Sequence, residues 1–218
     1  MLKPPALSFS AVQSAVEIAA TVAFALSGLL AGARKQLDAV GLCVVAGLSA
    51  FGGGTLRDVL LDRRPFFWVE HANWLWALLA LCLGAMLFLR RRHLALTERA
   101  IQWPDALGLG LFTANGTLIA LDAGMPAIVA VLMGVITAVF GGVLRDIVCN
   151  EIPSAFHDHR PYAICSFVGA WVMVAAVGLD APQWLAISLA ALSAVLLRTL
   201  ALWRGYRLPA WRIGGGRP

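Results

Sequence analysis

Charged residues are scarce in this chain: 13% of its 218 residues are charged, whereas a soluble domain usually has about 25%. Hydrophobic residues make up 60%, which excludes an ordinary soluble domain. The four cysteines show no CxxC spacing, so we expect neither a disulfide framework nor a zinc site. Nucleotide-binding loops, nucleophile motifs and metalloprotease motifs are also missing, and we therefore expect no enzyme activity and no cofactor.

Long apolar runs take the place of the missing charge. Seven of them are long enough to cross about 30 Å of hydrocarbon at roughly 1.5 Å per residue. They lie near 12–31, 39–61, 72–89, 102–121, 125–148, 161–178 and 183–203. The first run resembles a signal peptide, but it contains Glu17 and is longer than a usual signal core, so we expect it to be retained. We predict an all-α integral membrane protein with seven transmembrane helices.

The sequence repeats itself at a distance of 88 residues. This shift aligns GGGTLRD at 52–58 with FGGVLRD at 140–146, and it also aligns Glu17 with Asp105 and His71 with His159. Apolar residues would match by chance in such a chain, but these polar residues would not. Each copy contains three spans, an odd number, so the second copy must enter the membrane from the opposite side. The pattern predicts two inverted three-helix repeats.

We therefore divide the chain into four parts: residues 12–93, a first three-helix repeat; 100–178, a second, inverted three-helix repeat; 183–203, a seventh transmembrane helix; and 204–218, a basic cytoplasmic tail. Lysine and arginine are concentrated in the loops on one side and at the carboxyl end. The positive-inside rule then places the amino end outside and the carboxyl end in the cytoplasm. This placement explains the basic charge without nucleic acid as a partner.

Glycines are concentrated in the middle of the second and fifth spans: Gly52, Gly53, Gly54, Gly141 and Gly142. Each glycine costs about 1 kcal/mol relative to alanine inside a helix, so we expect both helices to be broken there. Carbonyl groups freed by a break would face a hydrated path, and Thr55 would cap the restarted helix of the first copy. The alternative is close helix packing through small residues.

An arginine and an aspartate follow the glycines in both copies: Arg57, Asp58, Arg145 and Asp146. An arginine at the bilayer centre costs roughly 2.5–3.5 kcal/mol, so each arginine needs carboxylate, carbonyl or water partners. Adjacent helix residues point about 100° apart, and we expect the two members of a pair to have different roles. The arginines could hold bent segments beside a cation path, receive an anionic group, or form structural salt bridges. The residue types leave all three open.

Small polar residues in the spans are further candidates for lining a pore: Ser27, Thr55, Asn115 and Thr117. Such groups either line a pore or hydrogen-bond one helix to another. The His157-Asp158-His159 sequence suggests a metal site, but it lies in an interfacial loop without a suitably spaced third ligand. We expect no metal.

The two repeats with GGG-x-x-RD and GG-x-x-RD, followed by a seventh helix, resemble the trimeric intracellular cation (TRIC) channel family. Its bacterial members overlap a domain family labelled as glycine transporters. The resemblance implies a homotrimer in a bacterial inner membrane, surrounded by membrane lipids. Each subunit would have its own pore for potassium and other monovalent cations, bent at the glycines. A Lys-Glu-Val sequence, which animal members use near a phosphoinositide lipid, is absent, so lipid control of that type is not implied.

Three functions remain open at this point. The leading hypothesis is a potassium-permeable channel in which the paired arginines and aspartates set the electrostatics of the constriction. The first alternative is a secondary transporter of glycine or a similar small solute. The second is a membrane scaffold whose arginines are purely structural.

Overall fold

The computed structural model describes residues 7–88, 98–157, 161–207 and 209. Within these residues the chain forms helices and no strands. The helices are α1 Leu7–Arg34, α2 Ala39–Leu60, α3 Phe67–Glu70, α4 Asn73–Phe88, α5 Glu98–Asp122, α6 Ala127–Val148, α7 Ser154–His157, α8 Ala163–Gly178 and α9 Gln183–Arg204. The predicted end of the first repeat at residue 93, the residues Asp158 and His159, and most of the basic tail at 204–218 lie outside the described residues.

Each of the seven predicted apolar runs coincides with a helix. Among the described residues, four helical segments are long and apolar enough to cross a membrane: Ala11–Arg34, Ala39–Leu60, Ala127–Val148 and Gln183–Arg204. Two shorter helical segments, Asn73–Leu87 and Ala163–Gly178, are also apolar. Helix α5 has 25 residues and a length of about 37 Å, and it carries Asp105 near its amino end. The short helices α3 and α7 lie in connections between apolar runs.

The two glycine-rich helices are continuous, so the predicted break is wrong. Helix α2 runs unbroken through residues 52–54, and α6 runs unbroken through residues 141 and 142. Thr55 does not cap a restarted helix, because its Oγ1 donates to the Phe51 carbonyl oxygen one turn earlier, at 2.7 Å. The helical cost of glycine is offset by close packing against a neighbouring helix, which was the alternative interpretation of the glycines.

Helices α2 and α6 meet at these glycines. A Cβ atom on Gly53 would overlap the Thr137 carbonyl oxygen, and a Cβ atom on Gly141 would overlap the Ser49 carbonyl oxygen. Positions 137 and 141 are 88 residues beyond positions 49 and 53, so each helix makes the same contact with the other. Such reciprocal contacts are typical of surfaces related by a twofold axis.

Helices α1 and α5 pack together in a similar way. The rings of Phe24 and Phe112, again 88 residues apart, stack with their centroids 5.6 Å apart in a buried cluster with Leu109 and Val139. Gly28 of α1 packs against α2, and Gly116 of α5 packs against α6. Helices α1, α2, α5 and α6 therefore form the centre of the fold, which brings buried polar groups on these four helices together.

Candidate functional site

The first polar cluster surrounds Arg57, near the carboxyl end of α2. Its side chain is fully buried. Its Nε donates to Asp58 Oδ1 at 2.9 Å, and its Nη2 donates to Glu17 Oε1 on α1 at 3.0 Å. The guanidinium group is therefore held between two carboxylates from two helices, which is the kind of pairing that a buried charge requires.

Aromatic residues of α3 cover this cluster. The Phe67 backbone N–H donates to Asp58 Oδ2 at 3.1 Å, and the Phe67 ring centroid lies 5.5 Å from the Arg57 guanidinium carbon. Trp68 Nε1 donates to Thr55 Oγ1 at 2.9 Å. Half-exposed Arg63 lies at the edge, with Nη1 4.0 Å from Asp58 Oδ1. The cluster is thus shielded on the side of α3.

The second polar cluster surrounds Arg145, near the carboxyl end of α6. Its Nε donates to Asp146 Oδ1 at 2.8 Å, and its Nη1 donates to Asp105 Oδ1 on α5 at 2.6 Å. The Arg145 Nη1 also donates to Ser27 Oγ on α1. The Ser154 backbone N–H of α7 donates to Asp146 Oδ2 at 2.9 Å. These contacts repeat those of the first cluster and add the serine.

The arginine and aspartate of each pair are bonded to one another, so the expectation that their side chains face apart is wrong. Different roles for the two residues stay a prediction. The Cα–Cβ bonds of adjacent helix residues point in different directions, but the arginine side chain is long enough to fold back onto the neighbouring aspartate. The salt-bridge interpretation is closest to the observed geometry, extended by a carboxylate from another helix: Glu17 in the first cluster and Asp105 in the second.

Each cluster contains one cationic and two anionic side chains, and therefore has one net negative charge in its inner group. All three side chains are almost fully buried in the second cluster, with exposed fractions of 3% for Asp105, 4% for Arg145 and 7% for Asp146. In the first cluster, Asp58 is 2% exposed. Their charges are consequently screened much less than those of surface groups.

A polar cavity of about 210 Å³ leads to the second cluster. Its lining includes exposed Glu151 as well as buried Arg145, so it connects the protein surface with the cluster. The charged lining is balanced in sign: Arg34, Arg145 and Arg198 against Asp105, Asp146 and Glu151. Arg198 of α9 is 2% exposed, and its Nη1 donates to the Pro161 carbonyl oxygen at 3.0 Å.

The predicted small polar residues occupy different environments. Ser27 belongs to the second cluster, and Thr55 lies beside the first while lining an apolar groove. Thr117 is buried and donates to the Thr113 carbonyl oxygen of its own helix at 2.8 Å, and its side chain packs against Gly134 of α6. Asn115 is fully buried, and neither its Oδ1 nor its Nδ2 has a hydrogen-bond partner among the described residues.

The predicted glycines serve helix contacts. Gly52 packs against Leu144, and Gly54 packs against the Phe67 ring. A Cβ atom on Gly142 would lie 3.0 Å from the Tyr162 hydroxyl oxygen and 3.4 Å from Asp105 Oδ1. The absence of a side chain at these glycines thus allows Leu144, Phe67 and Tyr162 to pack closely against α2 and α6 near the arginine clusters.

Glu17, Asp105 and Arg198 are absent from the predicted site. The 88-residue shift aligns the first two, and this match of acidic residues was the signal that identifies them. The sequence does not indicate which helices become neighbours, so it could not show that these carboxylates reach the arginines. Among the described residues, no group of three or more His, Cys, Asp or Glu side chains could hold a metal ion.

Comparison with known proteins identifies the family. The family described as "Glycine transporter" matches the chain twice, over residues 14–92 and 102–177. A TRIC trimeric intracellular cation channel orthologue from Rhodobacter sphaeroides has a similar structure, with a TM-score of 0.83 and 33% sequence identity, covering 89% of this chain and 99% of that one. This chain belongs to the bacterial TRIC-like family. A second TRIC cation channel structure, from work on conductance, gives a TM-score of 0.81 with 30% identity over 93% of this TRIC-like chain and 98% of its own.

Relatives of this TRIC-like protein are described as membrane proteins. A UPF0126 membrane protein of Vibrio cholerae is 32% identical, covering 91% of this chain and 82% of its own length. The UPF0126 inner membrane protein YadS of Escherichia coli is 30% identical, covering 91% and 95%. Together with the long apolar helices, these relatives identify an integral membrane protein.

Proposed function

We propose that this TRIC-like protein is a potassium-permeable channel for monovalent cations, with a pore inside each subunit of a homotrimer. The observation that carries the proposal is the charge of the two clusters. Each buried arginine is bonded to two carboxylates, so the inner group of each cluster is net negative and attracts a passing cation. The charges farther out add no net negative charge: Arg63 lies at the edge of the first cluster, and the cavity at the second is balanced in sign. The solved relatives described as TRIC cation channels support this assignment, and the description of the Rhodobacter sphaeroides relative as trimeric supports the homotrimer.

The proposed architecture has seven transmembrane helices: α1, α2, α4, α5, α6, α8 and α9. The first three and the next three form inverted repeats, with boundaries near 12–93 and 100–178, and α9 follows at 183–203. Support comes from the stacking of Phe24 on Phe112, because a twofold axis between two repeats brings residues near it into contact with their own counterparts. The two family matches, which begin 88 residues apart, support the same duplication.

The proposed pore runs between the four central helices and passes the two arginine clusters that these helices carry. Arg57, Asp58, Arg145 and Asp146 would set its electrostatics, and the glycine contacts would set the separation of α2 and α6. We place the protein in a bacterial inner membrane with the amino end outside and the carboxyl end, including the basic segment from 204, in the cytoplasm. The description of the Escherichia coli relative supports the membrane assignment.

A second candidate function is transport of glycine or a similar zwitterion. The balanced charges around the cavity of about 210 Å³ would suit a small molecule with one charge of each sign. The arrangement of Arg145 weighs against it, since its Nε and Nη1 are already bonded to carboxylates and a serine. The third candidate is a scaffold without transport.

Reconstitution of the purified protein in planar bilayers and liposomes separates these functions. A channel gives unitary currents whose reversal potential follows the potassium gradient. A transporter gives saturable glycine uptake without unitary currents, and a scaffold gives neither. Native mass spectrometry should show three copies of the 23.2 kDa chain, and a monomer would contradict the homotrimer.

The charge argument has its own test. Asp105→Asn removes the net negative charge of the second cluster, and we expect the ratio of potassium to chloride permeability to fall. Glu70→Gln, in an exposed part of α3, is the matched control and should leave the ratio unchanged. An unchanged ratio in D105N channels would show that the cluster does not select for cations.

A further inference from the structure

Ser49 Oγ, on α2, is one of four buried polar atoms of the central helices without a hydrogen-bond partner among the described residues. The other three belong to two side chains: Arg57 Nη1, Asn115 Oδ1 and Asn115 Nδ2. Both side chains are fully buried. Buried polar atoms are nearly always bonded, to protein or to ordered water, so these atoms require an explanation. These three atoms belong together, because the 88-residue repeat relates Arg57 and Asn115 to two residues that are hydrogen-bonded to each other.

Asn115 is the counterpart of Ser27, and Arg57 is the counterpart of Arg145, since both relations span 88 residues. In the second cluster, Arg145 Nη1 donates directly to Ser27 Oγ. The arginine contacts with Glu17 and Asp105 relate the same pairs of residues, but Arg57 uses Nη2 for Glu17 whereas Arg145 uses Nη1 for Asp105. Arg57 Nη1 therefore lacks both the carboxylate and the serine that Arg145 Nη1 bonds. Asn115 is therefore expected beside Arg57 Nη1, where the first cluster has no direct bond.

We propose that Arg57 Nη1 and the Asn115 amide form a buried binding site for water between α2 and α5. The chemistry of the atoms selects this ligand: Nη1 and Nδ2 only donate hydrogen bonds, and Oδ1 only accepts them. Water both accepts and donates, so it serves all three, and a buried water typically makes two to four hydrogen bonds.

Ions fit the same atoms less well. A bare cation would be repelled by the Arg57 guanidinium and by the hydrogens of Asn115 Nδ2. A bare anion would leave Asn115 Oδ1 unbonded and add negative charge to a cluster in which Asp58 and Glu17 already outnumber Arg57. Water satisfies the atoms without changing the charge of the cluster.

The water site adds detail to the proposed function. It rests on the duplicated architecture given above and does not depend on which solute is transported. The first half would contain a hydrated gap at the position where the second half has a direct contact between Arg145 and Ser27. Water would thus reach one arginine cluster through Asn115, while the other is joined without an intervening molecule.

The decisive measurement is a high-resolution crystal structure of the full chain, grown in separate solutions containing bromide or rubidium. We expect density of water size within hydrogen-bond distance of both Arg57 Nη1 and Asn115 Oδ1, without anomalous signal from either ion. A bromide or rubidium peak at this position would overturn the assignment of water. A direct bond between Arg57 and Asn115, or a dry gap, would overturn the site itself.

The variant Asn115→Leu removes the amide while keeping a similar volume, and we expect the density to disappear. Retention of water on Arg57 alone would show that Asn115 is not a ligand. If N115L does not fold, Asn115→Ser provides the second test, because a serine there should bond Arg57 Nη1 directly, as Ser27 bonds Arg145, and the water density should disappear. Water retained in N115S channels would contradict the repeat relation on which the site is argued. Potassium currents with a dry gap would overturn only the water site, whereas bound water in a protein without currents would overturn only the channel.

Discussion

The two arginine clusters have the same inner charges but differ in their surroundings. Arg145 bonds two carboxylates and Ser27, and a polar cavity connects its cluster with the surface. Arg57 bonds two carboxylates, keeps Nη1 without a partner among the described residues, and is covered by Phe67. The comparison shows that duplication preserves a buried charge arrangement while access to it diverges.

The divergence has identifiable causes in the sequence. The counterpart of Ser27 is the larger Asn115, and the counterpart of Phe67 is the small Ala155. The Phe67 ring therefore covers the first cluster, whereas the corresponding space at Gly142 in the second cluster is approached by the hydroxyl of a different aromatic residue, Tyr162. These differences between the two halves affect residues that surround the arginines, while the arginines and aspartates themselves are the same in both.

The largest expected effect comes from removing the arginines one at a time. Arg145→Leu leaves two buried carboxylates without their cation, and Arg57→Leu leaves buried Asp58 and partly buried Glu17 without theirs. We expect each variant to destabilise the protein by about 3–5 kcal/mol. Thermal unfolding in detergent measures the loss. Arg204→Leu is the control, because Arg204 is exposed at the end of α9. If only one of the two variants is destabilised, the clusters are not equivalent in stability.

Substitutions of the contact glycines should destabilise the protein by similar amounts in the two halves. Gly53→Ala and Gly141→Ala introduce methyl groups that overlap carbonyl oxygens of the facing helix, and overpacking of this kind costs about 1–3 kcal/mol or more. Gly84→Ala is the matched control: a Cβ there has no neighbour within 4 Å, so it should be neutral or slightly stabilising. Unequal losses at positions 53 and 141 would break the reciprocal relation of α2 and α6.

The hydrogen bond between Arg145 and Ser27 can be removed without changing a charged residue. Ser27→Ala deletes one acceptor of Arg145, and hydrogen bonds to charged groups contribute about 1.5–3 kcal/mol. If this contact holds the pore shut, single-channel recordings should show an open probability raised by roughly tenfold. Ser193→Ala, whose hydroxyl donates within its own helix, is the control. Unchanged gating in S27A would assign the bond to stability alone.

The smallest expected effect is at the surface beside the second cluster. Lys35 Nζ lies 2.7 Å from Glu151 Oε1, but the two side chains are 35% and 46% exposed. A double-mutant cycle with Lys35→Gln and Glu151→Gln should give a coupling below about 1 kcal/mol, decreasing further at high salt. The counterpart positions are Ala123 and Arg63, which cannot form this pair. A larger coupling would mean that the pair helps to distinguish the two halves.

Apolar runs and the 88-residue shift were sufficient to predict the helical class and the arginines and aspartates of both clusters. They succeed because polar residues are rare in such spans, so a repeated Arg-Asp pair is informative. The short helices α3 and α7 could not be predicted in this way, since each has only four residues and no periodic pattern.

The errors concern contacts within the packed structure, both between helices and between neighbouring side chains of one helix. Helix propensity predicted broken helices at the glycines, but propensity describes an isolated helix and the facing backbone of the partner helix stabilises a continuous one. The directions of adjacent Cα–Cβ bonds predicted that the side chains of Arg57 and Asp58 face apart, but the length of the arginine side chain allows them to bond. The carboxylates of Glu17 and Asp105 arrive from other helices, so only the packed structure shows their contribution.

Stacking between Phe24 and Phe112 has a consequence for the origin of this protein. Because each ring meets the equivalent ring of the other repeat, an ancestral half-length polypeptide would already have had the surface needed to bind a rotated copy of itself. Two separately expressed fragments, one for each repeat, should then reassemble through that surface when they are synthesised in the same cell.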